Sequence, residues 1–480
     1  MKYDVSILTQ AINNAKGCIL GKQQRINVQG NQYRTWPLFL TDTFNNSDID
    51  VCTSGLGVVA LTQFDYVNDS TLMDSISQSI NTILSIRNDD GSWPSKISLL
   101  SNDSYSMEGV ISDIYYAITA LLSVGFLNNS SHIKFKNLKT GEVLDTLDKR
   151  IKYIEKSVEW LLANRVENNQ GWQYTGVRYL ENPTDKELQP AYTMPTTNAI
   201  IILAKINESL NSFSSNHPLI EKINEALKSS INWLCVVQSK DYGFGIKRGD
   251  SSRVSNTAKI IKALSEIDIS PLTTDLQKQI SELVKRAVNW VAKFYKPNKV
   301  SFADVTEDFT QVFIEIDATS GVIKNVFRRP IIHETYLEAA VVDALFSYYK
   351  ANKSNIKLLV KNRIFSVIDK ALSIMLSSQN QNGELFGAIE SRRQTDSEKY
   401  TMYSTCDFVL IINRLLENVD ELKNILHNSN RFRVKLCILV LIGIIAIGLP
   451  LFIGKDTYVY TIPGSLVLGI FVNYISGKIL

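Results

Sequence analysis

The chain is short of the features that usually make a function easy to read. Only five of its 480 residues are cysteine, and Cys18, Cys52, Cys235, Cys406 and Cys437 are scattered, with no Cys-x-x-Cys pair. That excludes a disulfide scaffold and fits a reducing compartment with small buried thiols. Charge of one sign is also lacking: 51 basic residues face 48 acidic ones, a net of +3. Such a balance carries no electrostatic footprint for nucleic acid, and no nucleic-acid partner is expected. Met1-Lys2-Tyr3-Asp4 opens no apolar signal region, so secretion is not expected. What is present is 45% hydrophobic and 21% charged residues, the composition of a chain that folds.

The averages conceal a break near residue 430. Five of the basic residues and one of the acidic ones fall in 431–480, which leaves 46 and 47 in 1–430. Within the tail, 436–453 and 458–475 are uncharged stretches separated by Gly454-Lys455-Asp456-Thr457. At about 1.5 Å rise per residue each nearly crosses a hydrocarbon core of about 30 Å. The tail reads as a two-helix transmembrane hairpin whose partner is the lipid bilayer. Arg431, Arg433 and Lys435 before the first span and Lys478 after the second place both termini and the large N-terminal part on the cytoplasmic side. Gly443, Gly448, Gly464 and Gly469 would let such helices pack closely, as in a homo-oligomer. The alternative is a buried hairpin of a soluble fold.

Residues 1–430 carry an internal repeat: an amphipathic helix, a Gly/aromatic turn, a polar loop, and a second helix opened by Ser, Thr, Asn or Asp. The turns are Tyr33-Arg34-Thr35-Trp36-Pro37, Asn88-Asp89-Asp90-Gly91-Ser92-Trp93, Asn169-Gln170-Gly171-Trp172, Asp241-Tyr242-Gly243-Phe244-Gly245, a degenerate Ser301-Phe302, and Asn382-Gly383-Glu384-Leu385-Phe386. The second helices are expected to open at Thr53-Ser54, Ser112-Asp113, Thr196-Thr197-Asn198, Ser255-Asn256-Thr257, near His333, and at Ser404. Trp36 to Phe386 spans five intervals of about 70 residues, too long for the common solenoid repeats of about 33–47. First helices keep a polar stripe, as with Lys152, Glu155 and Glu159; second helices, such as 200–204, are apolar on most faces. Six such pairs close into a ring. The expected fold is therefore all-α, a six-hairpin α/α toroid over 1–430 with small β-hairpin insertions at 133–144 and 309–327, followed by the membrane hairpin at 431–480.

Asn88-Asp89-Asp90-Gly91-Ser92-Trp93 resembles the Gln-x-x-Asp-Gly-x-Trp repeat of squalene–hopene and oxidosqualene cyclases. The turns at Gly171-Trp172 and Gly243-Phe244 are similar to others in the wider terpenoid cyclase and protein prenyltransferase group. Arg253-Val254-Ser255-Asn256-Thr257-Ala258 stands where that resemblance puts the class II motif Asp-x-Asp-Asp-Thr-Ala. The resemblance covers nearly all of 1–430 and implies the toroid; it does not imply one activity. Trp93, Trp172 and Phe244 are expected to be scaffold, with Gly stopping each helix and Asn or Gln capping its last carbonyls.

Class II cyclisation needs a carboxylic acid kept protonated by burial, and Arg253, Ser255 and Asn256 cannot supply it. Asp50-Val51-Cys52 and His333-Glu334-Thr335-Tyr336 are similar to the zinc segments of protein prenyltransferases, but they lie in repeats one and five, which are not neighbours in a six-membered ring. No metal and no cofactor is expected. A basic cluster precedes three inner helices: Arg248 and Arg253, Arg328 and Arg329, Arg392 and Arg393. With His333 and Tyr336 they form a candidate site at the shared N-terminal mouth of the inner helices, suited to an isoprenoid or phosphate-bearing ligand. Solvated charge balanced by Asp250, Glu384, Glu390 and Asp396 is the alternative. Tyr115, Tyr116, Tyr192, Tyr336 and Tyr403 would add aromatic faces to an inner cavity. Three functions follow: a membrane-anchored ligand-binding or sensing toroid, an isoprenoid transferase or cyclase acting on membrane-partitioned substrate, and a membrane-perturbing effector, as in bacterial defence, with the toroid as sensor.

Overall fold

The computed structural model describes residues 4–28, 30–41, 48–98, 108–176, 188–213, 217–270, 272–296, 306–316, 323–334, 336–390 and 399–425; at 48, 96–98, 306–316 and 323–334 it describes the backbone. These residues form α1 (Val5–Gly21), α2 (Val51–Leu61), α3 (Ser70–Ser85), α4 (Ile111–Ser123), α5 (Leu147–Ala163), α6 (Thr193–Phe213), α7 (Pro218–Val237), α8 (Val254–Glu266), α9 (Thr274–Phe294), α10 (Leu337–Asn352), α11 (Leu358–Ser377) and α12 (Met402–Leu416). The even-numbered helices pack in chain order, α2 on α4 through to α10 on α12, and α12 returns to α2. The odd-numbered helices lie outside them. This is a closed double ring.

Hydrophobic patterning explains which helix goes where. On α9 the buried side chains are Leu276, Ile280, Leu283, Val284, Ala287, Val288, Trp290 and Val291, a single stripe at helical spacing. On α2 ten of eleven residues are buried, because an inner helix meets an outer helix behind, a neighbour on each side and the axis in front.

The aromatic turns fasten each outer helix. The indole N–H groups of Trp36, Trp93 and Trp172 donate to the carbonyls of Ile19, Ile83 and Leu161, at 2.7, 2.9 and 2.8 Å. Each occupies one of the orphan acceptors at the C-terminal end of α1, α3 and α5. An amide cap of the expected kind closes α5, where Asn164 Nδ2 donates to Trp160 O at 2.8 Å; other amides act differently. Gln238 Nε2 donates to Tyr242 O within its turn, and Gln379 Nε2 reaches Ala11 O of α1 at 2.8 Å. A second bond recurs from turn to inner helix. The backbone N–H groups of Trp172, Phe244 and Ile389 donate to the hydroxyls of Thr196, Thr257 and Thr405, at 3.0, 2.9 and 3.1 Å. In the sixth repeat the buried turn residue is therefore Ile389, three places after the expected Phe386, which is 43% exposed.

Five of the six inner helices begin one to three residues ahead of their expected openings. α6 starts at Thr193, α8 at Val254 and α12 at Met402. The entries are set by backbone bridges, Tyr192 with Lys247 and Phe244 with Arg253, so the Ser and Thr hydroxyls inside the first turn are released to bond the turn before. The fifth inner helix starts at Leu337 rather than near His333. His333 belongs to a strand instead, in an antiparallel pair of β5 (Thr306–Ile316) and β6 (Ile323–Glu334). That pair is the hairpin expected at 309–327, extended at both ends. The hairpin expected at 133–144 is a single bridge, Lys136 with Val143, with Gly141 at a φ of 77°. Unforeseen are the antiparallel pairs of β1 (Gln24–Val28) with β2 (Asn31–Thr35) and of β3 (Asp48–Asp50) with β4 (Lys96–Ser98). The segments 436–453 and 458–475 lie outside the described residues. Among the described residues no helix is long and apolar enough to cross a membrane.

Candidate functional site

The six inner helices enclose an axial cavity of about 110 Å³, to which every one of them contributes. Helical period fixes which side chains reach it. Counted from the caps Asp50, Val110, Arg253 and Thr401, the cavity takes the sixth residue (Leu56, Tyr116, Lys259, Asp407) and the ninth (Val59, Thr119, Lys262, Leu410). The same face one turn earlier carries Cys52, Ser112, Ser255 and Tyr403. The axis is thus built in layers, polar at the N-terminal mouth and charged below it.

In the charged layer, Lys259 extends into the cavity with its ammonium 5.1 Å from the centre of the Tyr115 ring. Loss of hydration pushes its pKa down to about 8, against the opposing pull of Asp407. Beside it, Asp343 is paired with both Lys262 and Arg414, and Arg414 continues to Glu266 at 2.5 Å. Ser347 Oγ donates to the same Glu266 oxygen at 2.8 Å. Burial opposes charge at both Lys262 and Asp343 but is outweighed: Asp343 and Glu266 hold Lys262 above its ordinary value, and Lys262 with Arg414 holds Asp343 below its own. Lys262 is fully committed to a partner network; Lys259 is the axial amine whose proton is easily lost.

At the mouth, Cys52 Sγ donates to Asp113 Oδ1 at 3.0 Å, and Ser112 Oγ to Oδ2 at 3.3 Å. The Tyr403 hydroxyl donates to the Cys52 sulfur, and its ring meets Tyr116 edge-on with centroids 5.9 Å apart. Burial, reinforced by the charge of Asp50, pushes Asp113 up to about 8. Burial likewise raises the Cys52 thiol and the Tyr403 phenol. The three groups form a chain that is neutral at pH 7, headed by a carboxylic acid that retains its proton.

Asp113 stood in the sequence as a helix-opening residue, and its buried protonated state was not foreseen. Asp50 caps α2 through the Thr53 amide at 2.8 Å, so its carboxylate has a structural task. Among the described residues no group of three His, Cys, Asp or Glu side chains is placed to hold a metal. Ser255 and Asn256 lie buried in the first turn of α8, and Asn256 Nδ2 bonds Gly245 O at 2.9 Å and Thr193 Oγ1 at 3.1 Å, a packing role.

The arginine site is only partly brought together. Arg253 caps α8 and Tyr336 caps α10, adjacent inner helices. Arg248 is instead drawn to Glu167, at 3.0 Å. Arg328, Arg329 and His333 sit on β6 in register with Val312, Gln311 and Glu307. Arg392 and Arg393 lie outside the described residues. Lys259, Lys262, Asp343 and Asp407 were missed as a group. Part of the signal was available: Lys259 and Lys262 lie three apart on α8, and Asp343 and Asp407 are isolated charges in largely buried stretches of α10 and α12.

No family model matches the chain, and no curated protein matches its sequence. Solved structures do match its shape. A cellobiose 2-epimerase from Spirochaeta thermophila is similar over 86% of this chain and 96% of its own, with a TM-score of 0.55 at 8% identity. A sugar epimerase from a ruminal bacterium is similar over 86% and 98%, with a TM-score of 0.52 at 11% identity. A type II terpene cyclase from Scytonema covers 86% and 99%, with a TM-score of 0.44 at 12% identity. At such identities the likeness is one of fold: the chain has the closed α/α toroid fold of the two epimerases.

Proposed function

We propose that the toroid is an acid–base enzyme for a small polar substrate bound on its axis, with Lys259 as the proton acceptor and Asp407 and the Tyr115 ring positioning its ammonium form. The observation that carries this reading is Lys259 itself, an amine inside the inner ring with its pKa pushed down to about 8. A base whose pKa lies near the working pH combines an available free form with useful driving force. An amine whose surroundings bring its pKa toward the working pH is the usual mark of a proton-transfer site. Cavity size argues for a small substrate: 110 Å³ is well below the roughly 300 Å³ of an ordinary ligand pocket. That favours a compact polar molecule over an isoprenoid chain, and over the cellobiose named for the epimerase of the same fold. The hydrophobic tail, through spans at 436–453 and 458–475, would hold this toroid at the cytoplasmic face of a bilayer.

A second reading, binding without turnover, is favoured by the completeness of the Lys262–Asp343–Arg414–Glu266 network, which leaves few groups free to change state. The full-length protein in detergent, incubated in heavy water with carbonyl compounds of two to four carbons, separates the two. Mass spectrometry should find deuterium on carbon with the wild type and at least about a hundredfold less with Lys259→Met, the scale of one general base. Equal exchange by Lys259→Met, or exchange of cellobiose in preference to the small compounds, would sink the enzymatic reading. Ligand-dependent thermal stabilisation without exchange would favour binding alone.

A further inference from the structure

We propose that Lys259 is a nucleophile as well as a base, and that it captures small neutral aldehydes or ketones on the axis as an iminium. The proposal rests on the free amine that the acid–base reading also requires, but it needs no C–H bond to break.

The geometry is that of an amine without a partner in a walled space. Lys259 is half-buried and lines the axial cavity of about 110 Å³. Among the described residues its ammonium makes no ion pair and no hydrogen bond; it stands 5.1 Å from the centre of the Tyr115 ring. Lys262, one turn further along α8 and lining the same cavity, shows the contrast, because Asp343 holds it in an ion pair. Lost hydration favours the free amine at Lys259, Asp407 opposes it, and the Lys262 charge adds to it. A lysine desolvated beside another cation is a recurring form of amine nucleophile. Leu56, Val59, Leu410 and Ile411 wall the space with hydrocarbon, which keeps water from returning to an iminium carbon.

Charge selects the electrophile. Net of proton transfers, an ammonium and a carbonyl compound give an iminium and water. The nitrogen–carbon bond forms and the carbonyl carbon–oxygen bond breaks. Two of the three ammonium protons leave with the oxygen, and the third stays on nitrogen. The product carries the same single positive charge as the ammonium, so the balance of Lys259 and Lys262 against Asp343 and Asp407 is unchanged. Acylation would remove that charge, and a carbamate from carbon dioxide would reverse it, each leaving a carboxylate in excess. An oxo acid would bring a further anion beside Asp343 and Asp407. The cavity therefore suits neutral carbonyl compounds, and its volume suits those of a few carbons.

Reductive trapping tests this. The full-length protein in neutral detergent is incubated with glycolaldehyde and sodium cyanoborohydride, which reduces an iminium to a stable secondary amine. Peptide masses then give the rate at each lysine. At pH 7 Lys259 should be alkylated at least about tenfold faster than the exposed lysines, because an exposed amine ordinarily keeps its proton to about pH 10.4. By pH 9 that margin should narrow about tenfold, since an amine with its pKa pushed down to about 8 is by then mostly free while exposed amines are still losing protons. In denaturing urea the preference should vanish. A rate at Lys259 no higher than at exposed lysines, a margin that does not narrow by pH 9, or a preference that survives in urea would overturn the proposal. Deuterium exchange without trapping would keep the base and overturn the nucleophile. Trapping without exchange would keep the nucleophile and overturn the base.

Discussion

Replacing Asp343 with alanine is expected to cost the toroid about 3–5 kcal/mol, the range for removing one partner of a buried ion network. Asp343 is 6% exposed and receives two cations from different helices, Lys262 of α8 and Arg414 of α12. Deleting it leaves both beside an empty site on the axis. The network as a whole contributes far less than this figure, because desolvating its members offsets much of their attraction. Replacing Asp343 together with Lys262 and Arg414 by neutral residues of similar size should therefore recover most of the loss. The pH dependence has a definite sign. Asp343 has a folded value below its ordinary 3.8, so its contribution is present above pH 3.8 and is lost as pH falls through the lower folded value. Lys262, held above its ordinary 10.5, contributes below that pH and loses its contribution as pH rises through the raised value. Denaturant midpoints should thus separate wild type from Asp343→Ala most widely between about pH 5 and 9 and converge in acid. A separation under about 1 kcal/mol at pH 7 would mean that the network is solvated and contributes little.

Gly387→Ala is expected to destabilise the ring by about 2–6 kcal/mol, the sum of left-handed backbone strain and overpacking. Gly387 has a φ of 89°, and a Cβ there would fall 2.1 Å from Asn14 O of α1. The clash is with backbone, so no side chain can rotate away. It sits at the contact that returns the sixth repeat to the first, next to the bond from Gln379 to Ala11 O. Gly141→Ala is the control: its φ is 77°, yet nothing lies within 4 Å, so only the backbone term remains. Thermal melts should show a substantially larger loss for Gly387→Ala. Equal losses would show that the junction yields easily and that closure is loose.

The fold was legible because its signals are local and repeated. Aromatic turns about 70 residues apart, a polar stripe on each first helix and apolar second helices leave little choice but a ring. The sixth turn misled by three residues, because Phe386 is the more conspicuous aromatic while Ile389 holds the buried place. The site was less legible. Arg248, Arg328 and Arg329 stand out next to inner-helix starts, but proximity in sequence does not say which partner a long side chain finds, and Arg248 finds Glu167. The axial groups are spread over all six inner helices and as many repeats. Only the caps at Asp50, Val110, Arg253 and Thr401 put them in register. Once those are known, Lys259 and Asp407 fall on one layer by counting. Asp113 looked like a helix opener because sequence shows its position in the first turn but not its burial against Cys52.

The most direct test of the account is the titration of Lys259. Isotope-labelled lysine in the full-length protein, with the Lys259 resonance assigned by its loss in Lys259→Met, lets its side-chain chemical shift be followed against pH. A midpoint near 8 is predicted for an amine desolvated on the axis of a closed ring. A midpoint near the ordinary 10.5 would place Lys259 in water and contradict the acid–base site.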